Sequence, residues 1–311
     1  MLELTAIVAP VFGLITLGFG AAQLRLLTER VGDGLAEYVF TLAIPFLLFR
    51  TIVDADLPAT LPWAYWLSYF AGVTICWGLA SLLARRVFHR SVGESVIFGF
   101  AAGQANTVMV GVPLILKAVG ADAAAPLVLL LAIHLPVTMT VATFLFEGAG
   151  PGGRRAAGVR VLRSIVTHPI LIGIAIGLIT RSSGSVPEGP FKAAVDLMAG
   201  SAAPCSLIAM GLALHRYGIR QEWPAALAIT GLKLILHPLI VYIAARYVFG
   251  LPTAWVQVGL LFAACPSGIN AYLFAQRVKT GEAVASAAIS LSTVLAIVSV
   301  TGWLLFLGVG Q

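Results

Sequence analysis

The side chains able to do chemistry in this chain stand inside apolar runs. Gln104, Asn106 and Thr107 follow Gly103, and Gly111 and Pro113 come shortly after them. A second cluster, in the other half of the chain, reads Cys265-Pro266-Ser267-Gly268-Ile269-Asn270. Proline removes a helix hydrogen bond and glycine loosens the backbone, so Gly111, Pro113, Pro266 and Gly268 are expected to break two helices. A broken helix presents free N–H groups and the positive end of its dipole, which suits an anion such as a carboxylate. Covalent and metal chemistry have no comparable footing. Cys76, Cys205 and Cys265 form no CxxC and have no histidine at metal spacing. No paired aspartates, Ser–His arrangement or HExxH appears, so neither an enzyme nor a metal or cofactor site is expected.

The elements that must position these groups follow from composition. Of 311 residues, 59% are hydrophobic and 10% are Asp, Glu, Lys or Arg, against roughly 25% charged in an ordinary soluble domain. That is too little charge to cover a soluble surface. Spans of about 20 apolar residues with short loops would use the length in about ten passes. The expected class is an all-α polytopic membrane protein, because lipid leaves backbone groups no outside partner. Apolar runs fall at 4–24, 34–53, 62–84, 95–116, 124–146, 165–180, 192–214, 223–249, 255–275 and 283–309. The start, Met1-Leu2-Glu3-Leu4, lacks the basic residues of a signal peptide, so the first run reads as a retained span.

Thirteen of the nineteen Lys and Arg fall in the loops after spans one, three, five, seven and nine. In a membrane protein a formal charge of +6 therefore points to basic cytoplasmic loops rather than to nucleic acid. The asymmetry predicts a cytoplasmic membrane location with both termini outside. The longest loop, Gly148 to Ser164, is Gly-rich and then basic, and reads as a flexible cytoplasmic linker between two five-helix repeats, 1–147 and 165–311. A lipid-binding role for it is the alternative.

The halves echo each other. Phe100-Ala101-Ala102-Gly103-Gln104-Ala105-Asn106 can be laid beside Phe262-Ala263-Ala264-Cys265-Pro266-Ser267-Gly268, and Ala43 to Leu48 beside Ala203 to Ile208. Five spans per half is an odd number, so the second repeat is expected to be inverted. Interrupted helices in matching positions of two inverted repeats point to a transport site. A channel is also compatible with two such halves.

Asn106-Thr107-Val108-Met109-Val110-Gly111-Val112-Pro113-Leu114, running on to Lys117 and Gly120, resembles the fourth helix of the auxin efflux carrier family, which includes plant PIN auxin exporters and bacterial carriers for malonate. The likeness continues through Phe144 to Glu147, His168-Pro169, Lys233 with Pro238, and Pro266 to Ala275, and covers essentially the whole chain. It implies ten helices in the fold shared with bile-acid and sodium/proton carriers. Spans one, two, six and seven would form a scaffold, often a homodimer, and the others a transport domain. Broken helices four and nine would cross beside the substrate carboxylate. Asn106 would be the polar ligand after the first break and Pro266 the second break. Two positions depart from the plant pattern. Ala105 stands where a proline precedes the asparagine, which softens the first break, and Asn270 adds an amide suited to a smaller, more polar substrate.

The remaining polar residues have two readings each. His134, mid-span, is a substrate or proton group or a packing histidine. Lys233 and His237 share a helix face at i, i+4, as a cation beside the crossing or as support for it. Gln104 and Ser267 flank the breaks as secondary contacts. Arg50 and Asp196 belong at an interface. No carboxylate lies at depth, which argues against acid-based antiport and leaves uniport, proton coupling through histidine, or Na⁺ held by carbonyls and amides. The expected function is a carrier for small organic anions, mono- or dicarboxylates, binding through Asn106, Asn270, Pro266, Gln104, Ser267 and His134. A passive channel or a non-transporting receptor on the same fold is the alternative.

Overall fold

The computed structural model describes residues 2–147, apart from 56 and 59, and then 162–163, 166–184, 187–216 and 222–309. The expected linker, 148–164, lies outside the described residues except for 162 and 163. All regular structure among the described residues is helical. The helices are α1 (Leu2–Gln23), α2 (Glu29–Asp54), α3 (Trp63–Arg86) and α4 (Val92–Gly103). After a gap, α5 begins as a wide turn, Thr107–Gly111, and continues as Val112–Val119. Then come α6 (Ala124–Glu147), α7 (Pro169–Ser182), α8 (Gly189–Arg216) and α9 (Trp223–Val248). The chain ends with α10 (Thr253–Ala264), α11 (Ile269–Val278) and α12 (Glu282–Phe306).

Seven helices among the described residues are long and apolar enough to cross a membrane; α4, α7 and α10 are shorter apolar helices. This is a multi-pass membrane protein. Large apolar side chains such as Leu82, Ile179, Leu197 and Val298 are exposed along these helices. In water they would form an aggregating surface; in a bilayer they meet lipid. Inside, α1 packs on α8, the second half of α2 on α7, α3 on α4, and α9 on both α10 and α12. One continuous core includes Tyr65, Tyr69, Phe98, Phe100 and Phe262, all fully buried.

Prolines explain three of the local irregularities. Pro45, Pro113 and Pro238 each follow a five-residue π-turn: Val39–Ala43, Thr107–Gly111 and Leu232–Leu236. A proline ring clashes with the carbonyl four residues before it. That carbonyl belongs to Thr41, Met109 or Leu234, in each case inside the π-turn, whose wider winding makes room. Pro113 therefore bends the ladder without breaking it, and Gly111 lies in helix too. The first interruption falls earlier, at Gln104–Asn106, where the ψ of Gln104 is 122° and that of Asn106 is 67°.

The entrance to α4 is firmly tied. Ser91 and Glu94 form a capping box, with Ser91 Oγ accepting from Glu94 N–H at 3.2 Å and Glu94 Oε2 accepting from Ser91 N–H at 3.1 Å. Arg90 donates to Glu94 and, through Nη2, to both oxygens of Glu222 at the head of α9, at 3.0 and 2.7 Å. The pair is only partly exposed, so Glu222→Gln is expected to cost about 1 kcal/mol. The thermal midpoint in detergent should fall, and an unchanged midpoint would show the pair to be fully solvated.

Candidate functional site

At each interruption the chain leaves helical geometry and loses the i to i−4 bonds that a continuous helix would supply. The two gaps solve this together. Asn106 N–H donates to the Pro266 carbonyl at 2.8 Å, and Gly268 N–H donates to the Gln104 carbonyl at 2.9 Å. Ala105 and Ser267 thereby face each other as an isolated antiparallel bridge, a fragment of sheet between broken helices. The approach is close because Gly268 has no side chain; a Cβ there would lie 2.9 Å from the Ala105 carbonyl oxygen.

The residues at the centre of each gap keep their N–H groups satisfied by neighbouring helices. Ala105 N–H donates to His134 Nε2 on α6 at 3.3 Å, and Ser267 N–H donates to Ser292 Oγ on α12 at 3.0 Å. These are the donors that would have reached the carbonyls of Ala101 and Ala263 in unbroken helices. Both carbonyls find replacements. Ser267 Oγ donates to Ala101 at 2.8 Å, and Lys233 Nζ donates to Ala263 at 2.7 Å while lying 3.1 Å from His237 Nδ1. Lys233 is fully buried, and it sits where a helix C-terminus favours a cation. Gly111 also has a role other than a break. A Cβ there would lie 2.9 Å from Cys265 Sγ, so glycine lets α5 press against the second gap.

Beside the paired gaps lies a cavity of about 200 Å³. Its wall includes Gln104, Thr107 and Val108 at the first gap and the start of α5, His134 and Thr143 on α6, and Asn270 and Arg277 on α11. His168 and Leu171, at the head of α7, close another side. Thr138 Oγ1 lies 2.7 Å from both Gln104 Oε1 and the His134 carbonyl of its own helix, so its one proton is shared between them. His134 Nδ1 is 3.1 Å from Tyr69 OH. With Nε2 accepting from Ala105, the ring is held as the neutral tautomer whose Nδ1–H points to Tyr69.

Of the six substrate residues expected from the sequence, Gln104, His134 and Asn270 line the cavity. Pro266 and Ser267 build the bridge instead. Asn106 is buried beside it, its Nδ2 3.1 Å from Met210 Sδ on α8. His237 lies behind the site with Lys233, near Tyr69. Arg50 and Asp196 form a 3.4 Å ion pair between α2 and α8. Sequence reasoning missed Tyr69, Thr138, Ser292, His168 and Arg277. Thr138 and Ser292 are single hydroxyls in apolar runs, where such groups normally bond back to their own helix, and Arg277 was counted as loop charge.

Residues 4–304 match the auxin efflux carrier family, described as "Membrane transport protein". The chain belongs to that family. It is a membrane transporter and not an enzyme. A Rhizobium meliloti protein named "Putative malonate transporter" is 29% identical over 310 residues, covering 98% of this chain and 96% of that one. A Methanothermobacter thermautotrophicus protein named "Uncharacterized transporter" is 28% identical over 309 residues, covering 96% and 97%. The transporter's buried Lys233 is its clearest structural dependency. Lys233→Met leaves the Ala263 carbonyl unpaired in the core, and charge-assisted bonds of this kind contribute about 1.5–3 kcal/mol. Thermal unfolding in detergent should show a loss of that size; a wild-type midpoint would mean that Ala263 has another donor.

Proposed function

We propose that the protein is a secondary carrier that moves small organic anions, mono- or dicarboxylates, across the cytoplasmic membrane by alternating access. One observation carries the reading: the cavity borders the first turns of both α5 and α11 and, among the described residues, has no Asp or Glu in its wall. N–H groups in a helix's first turn lack internal partners and carry the positive end of the dipole. Two such ends on one small cavity, with the amides of Gln104 and Asn270 and the hydroxyls of Thr107 and Thr143, suit a carboxylate. The cavity is smaller than the roughly 300–1,000 Å³ that hold drug-sized ligands. The name of the Rhizobium meliloti relative agrees with a substrate of this size and charge.

The architecture is read as ten crossings in two inverted repeats, 1–147 and 165–311. Support comes from the bond pattern at the gaps. Gln104, Ala105 and Asn106 stand to Pro266, Ser267 and Gly268 in one constant register. That register carries the bond from Asn106 to Pro266 onto the bond from Gly268 to Gln104. It also relates the carbonyls of Ala101 and Ala263, both of which receive a side-chain donor. In this scheme α1, α2, α7 and α8 form a scaffold, which dimerises, and the remaining helices move against it. The cavity lies on that boundary, since His168 and Leu171 belong to the scaffold side. In this scheme Arg277 and the cavity mouth face the cytoplasm and both termini lie outside, a reading that the basic bias of the loops supports. As the moving part slides, Asn106 exchanges Met210 for the substrate.

Counterflow in proteoliposomes tests the reading. Malonate or acetate uptake should saturate and be accelerated by internal substrate. Asn106→Ala and Asn270→Ala should each reduce it at least tenfold, the equivalent of about 1.4 kcal/mol. A flux linear in concentration would mean a channel, and binding without flux a receptor. Coupling is probed at His134, whose Nε2 cannot take a proton without expelling Ala105 N–H. His134→Gln should retain transport with an unchanged pH profile, because glutamine can still accept from Ala105. A displaced profile would make His134 the proton carrier.

A further inference from the structure

We infer that Arg277 is a specificity-determining residue that makes this cavity a site for dianions, holding a second carboxylate near the mouth while the first occupies the helix ends. The inference rests on the carboxylate-carrier reading and extends it to a class of substrate. Among the described residues Arg277 is the one Lys or Arg in the cavity wall, and no Asp or Glu accompanies it there. Among the described residues no carboxylate lies within 4.0 Å of it, and no side-chain hydrogen bond engages it. An uncompensated cation on a cavity with apolar walls raises the local potential for anions.

Placement along α11 gives the second argument. Asn270 is in the first turn of α11 and Arg277 is near its end. Seven residues are almost two full turns, so both fall on one face, roughly 10 Å apart along the axis. Helical side chains lean toward the N-terminus, which carries the long arginine back from its Cα toward Asn270. Asn270 is half-buried and Arg277 exposed, with Gln104 buried deeper still. The wall is therefore graded from neutral donors at the bottom to a guanidinium at the entrance. A guanidinium can take a carboxylate through two parallel N–H bonds, which an amide cannot match.

His168 supplies the third argument. Its Nδ1 is buried, the residue lines this cavity, and that nitrogen has no hydrogen-bond partner among the described residues. Buried polar atoms are seldom left unpaired. An anion between Arg277 and His168 would give that nitrogen an acceptor. A monocarboxylate bound at the helix ends would leave both groups idle, whereas a short dicarboxylate engages the two ends of the cavity at once.

The test uses the full-length protein purified in detergent, with ligand-induced thermal stabilisation titrated for malonate, succinate, acetate and butyrate. Wild type should bind the two dicarboxylates at least tenfold more tightly than the two monocarboxylates. Arg277→Gln should bring that ratio close to one, Arg277→Lys should restore part of it, and the ligand-free melting temperature should match wild type. Asn270→Ala should weaken all four ligands and keep the ratio. A wild-type ratio near one, or a ratio that Arg277→Gln leaves unchanged, overturns the dianion subsite while leaving the carrier reading intact. Absence of binding by all four ligands in folded wild-type protein overturns both.

Discussion

The paired interruption of two helices is the constraint on which the rest of this structure depends. Two bonds, Asn106 N–H to Pro266 and Gly268 N–H to Gln104, let chain in extended geometry sit inside a helical membrane protein. In hydrocarbon neither gap could exist alone, because each would expose donors and acceptors with no water to receive them. Joined, each gap supplies what the other lacks. The remaining orphans at Ala101, Ala105, Ala263 and Ser267 dictate the polar residues around them: Ser267 itself, His134, Lys233 and Ser292. A residue such as Lys233, buried at 0% exposure in a membrane helix, has a reason to be there in the backbone it completes.

Much of this was legible in the sequence because the physics involved is local or periodic. Apolar runs of span length and a low charge fraction establish a membrane protein without reference to any contact. The second gap was readable from Cys265-Pro266-Ser267-Gly268, where proline cannot donate and only glycine tolerates the close approach. For the first, the resemblance set a break just before Asn106, while Gly111 and Pro113 were read as breaking positions as well. Gly111 and Pro113 carry the stronger helix-breaking signal, but a π-turn absorbs the proline and Cys265 explains the glycine. The actual gap at Gln104-Ala105-Asn106 has no proline, and it is held open from outside by its partner strand and by His134. A break stabilised by tertiary bonds leaves a weak mark on its own segment.

The same reasoning accounts for which side chains sequence could not assign. His134, Lys233 and His237 were visible as ionisable groups at depth, yet their type alone could not distinguish a binding role from support. In the structure Lys233 bonds to His237 and to the Ala263 carbonyl at a helix end, while His134 accepts from the bridge and lines the cavity. Asn106 shows the reverse. It stands at the gap, but its amide is turned to Met210 and it is not among the residues lining the cavity. One residue's orientation depends on a helix a hundred positions away, which no local pattern encodes.

The distribution of charge around the gaps bears on how a carrier could bind an anion and still let it go. Beside the gaps the polar lining side chains include neutral ones: the amides of Gln104 and Asn270 and the hydroxyls of Thr107 and Thr143. The one buried ammonium among the described residues, on Lys233, is occupied by the Ala263 carbonyl on the other side of the bridge and is absent from the cavity wall. A buried ion pair between that ammonium and a substrate carboxylate would be hard to break, since separating it strands a charge in low dielectric at a cost of several kcal/mol. Helix ends and amides offer a shallower well, because the partial charges involved are about half an elementary charge at each terminus. In the proposed carrier the full cation, Arg277, is on an exposed part of the wall, where water would replace the substrate as it leaves. On this reading the broken helices do more than create a site. They supply positive potential without a fixed counter-charge, and that keeps binding reversible at the middle of a membrane.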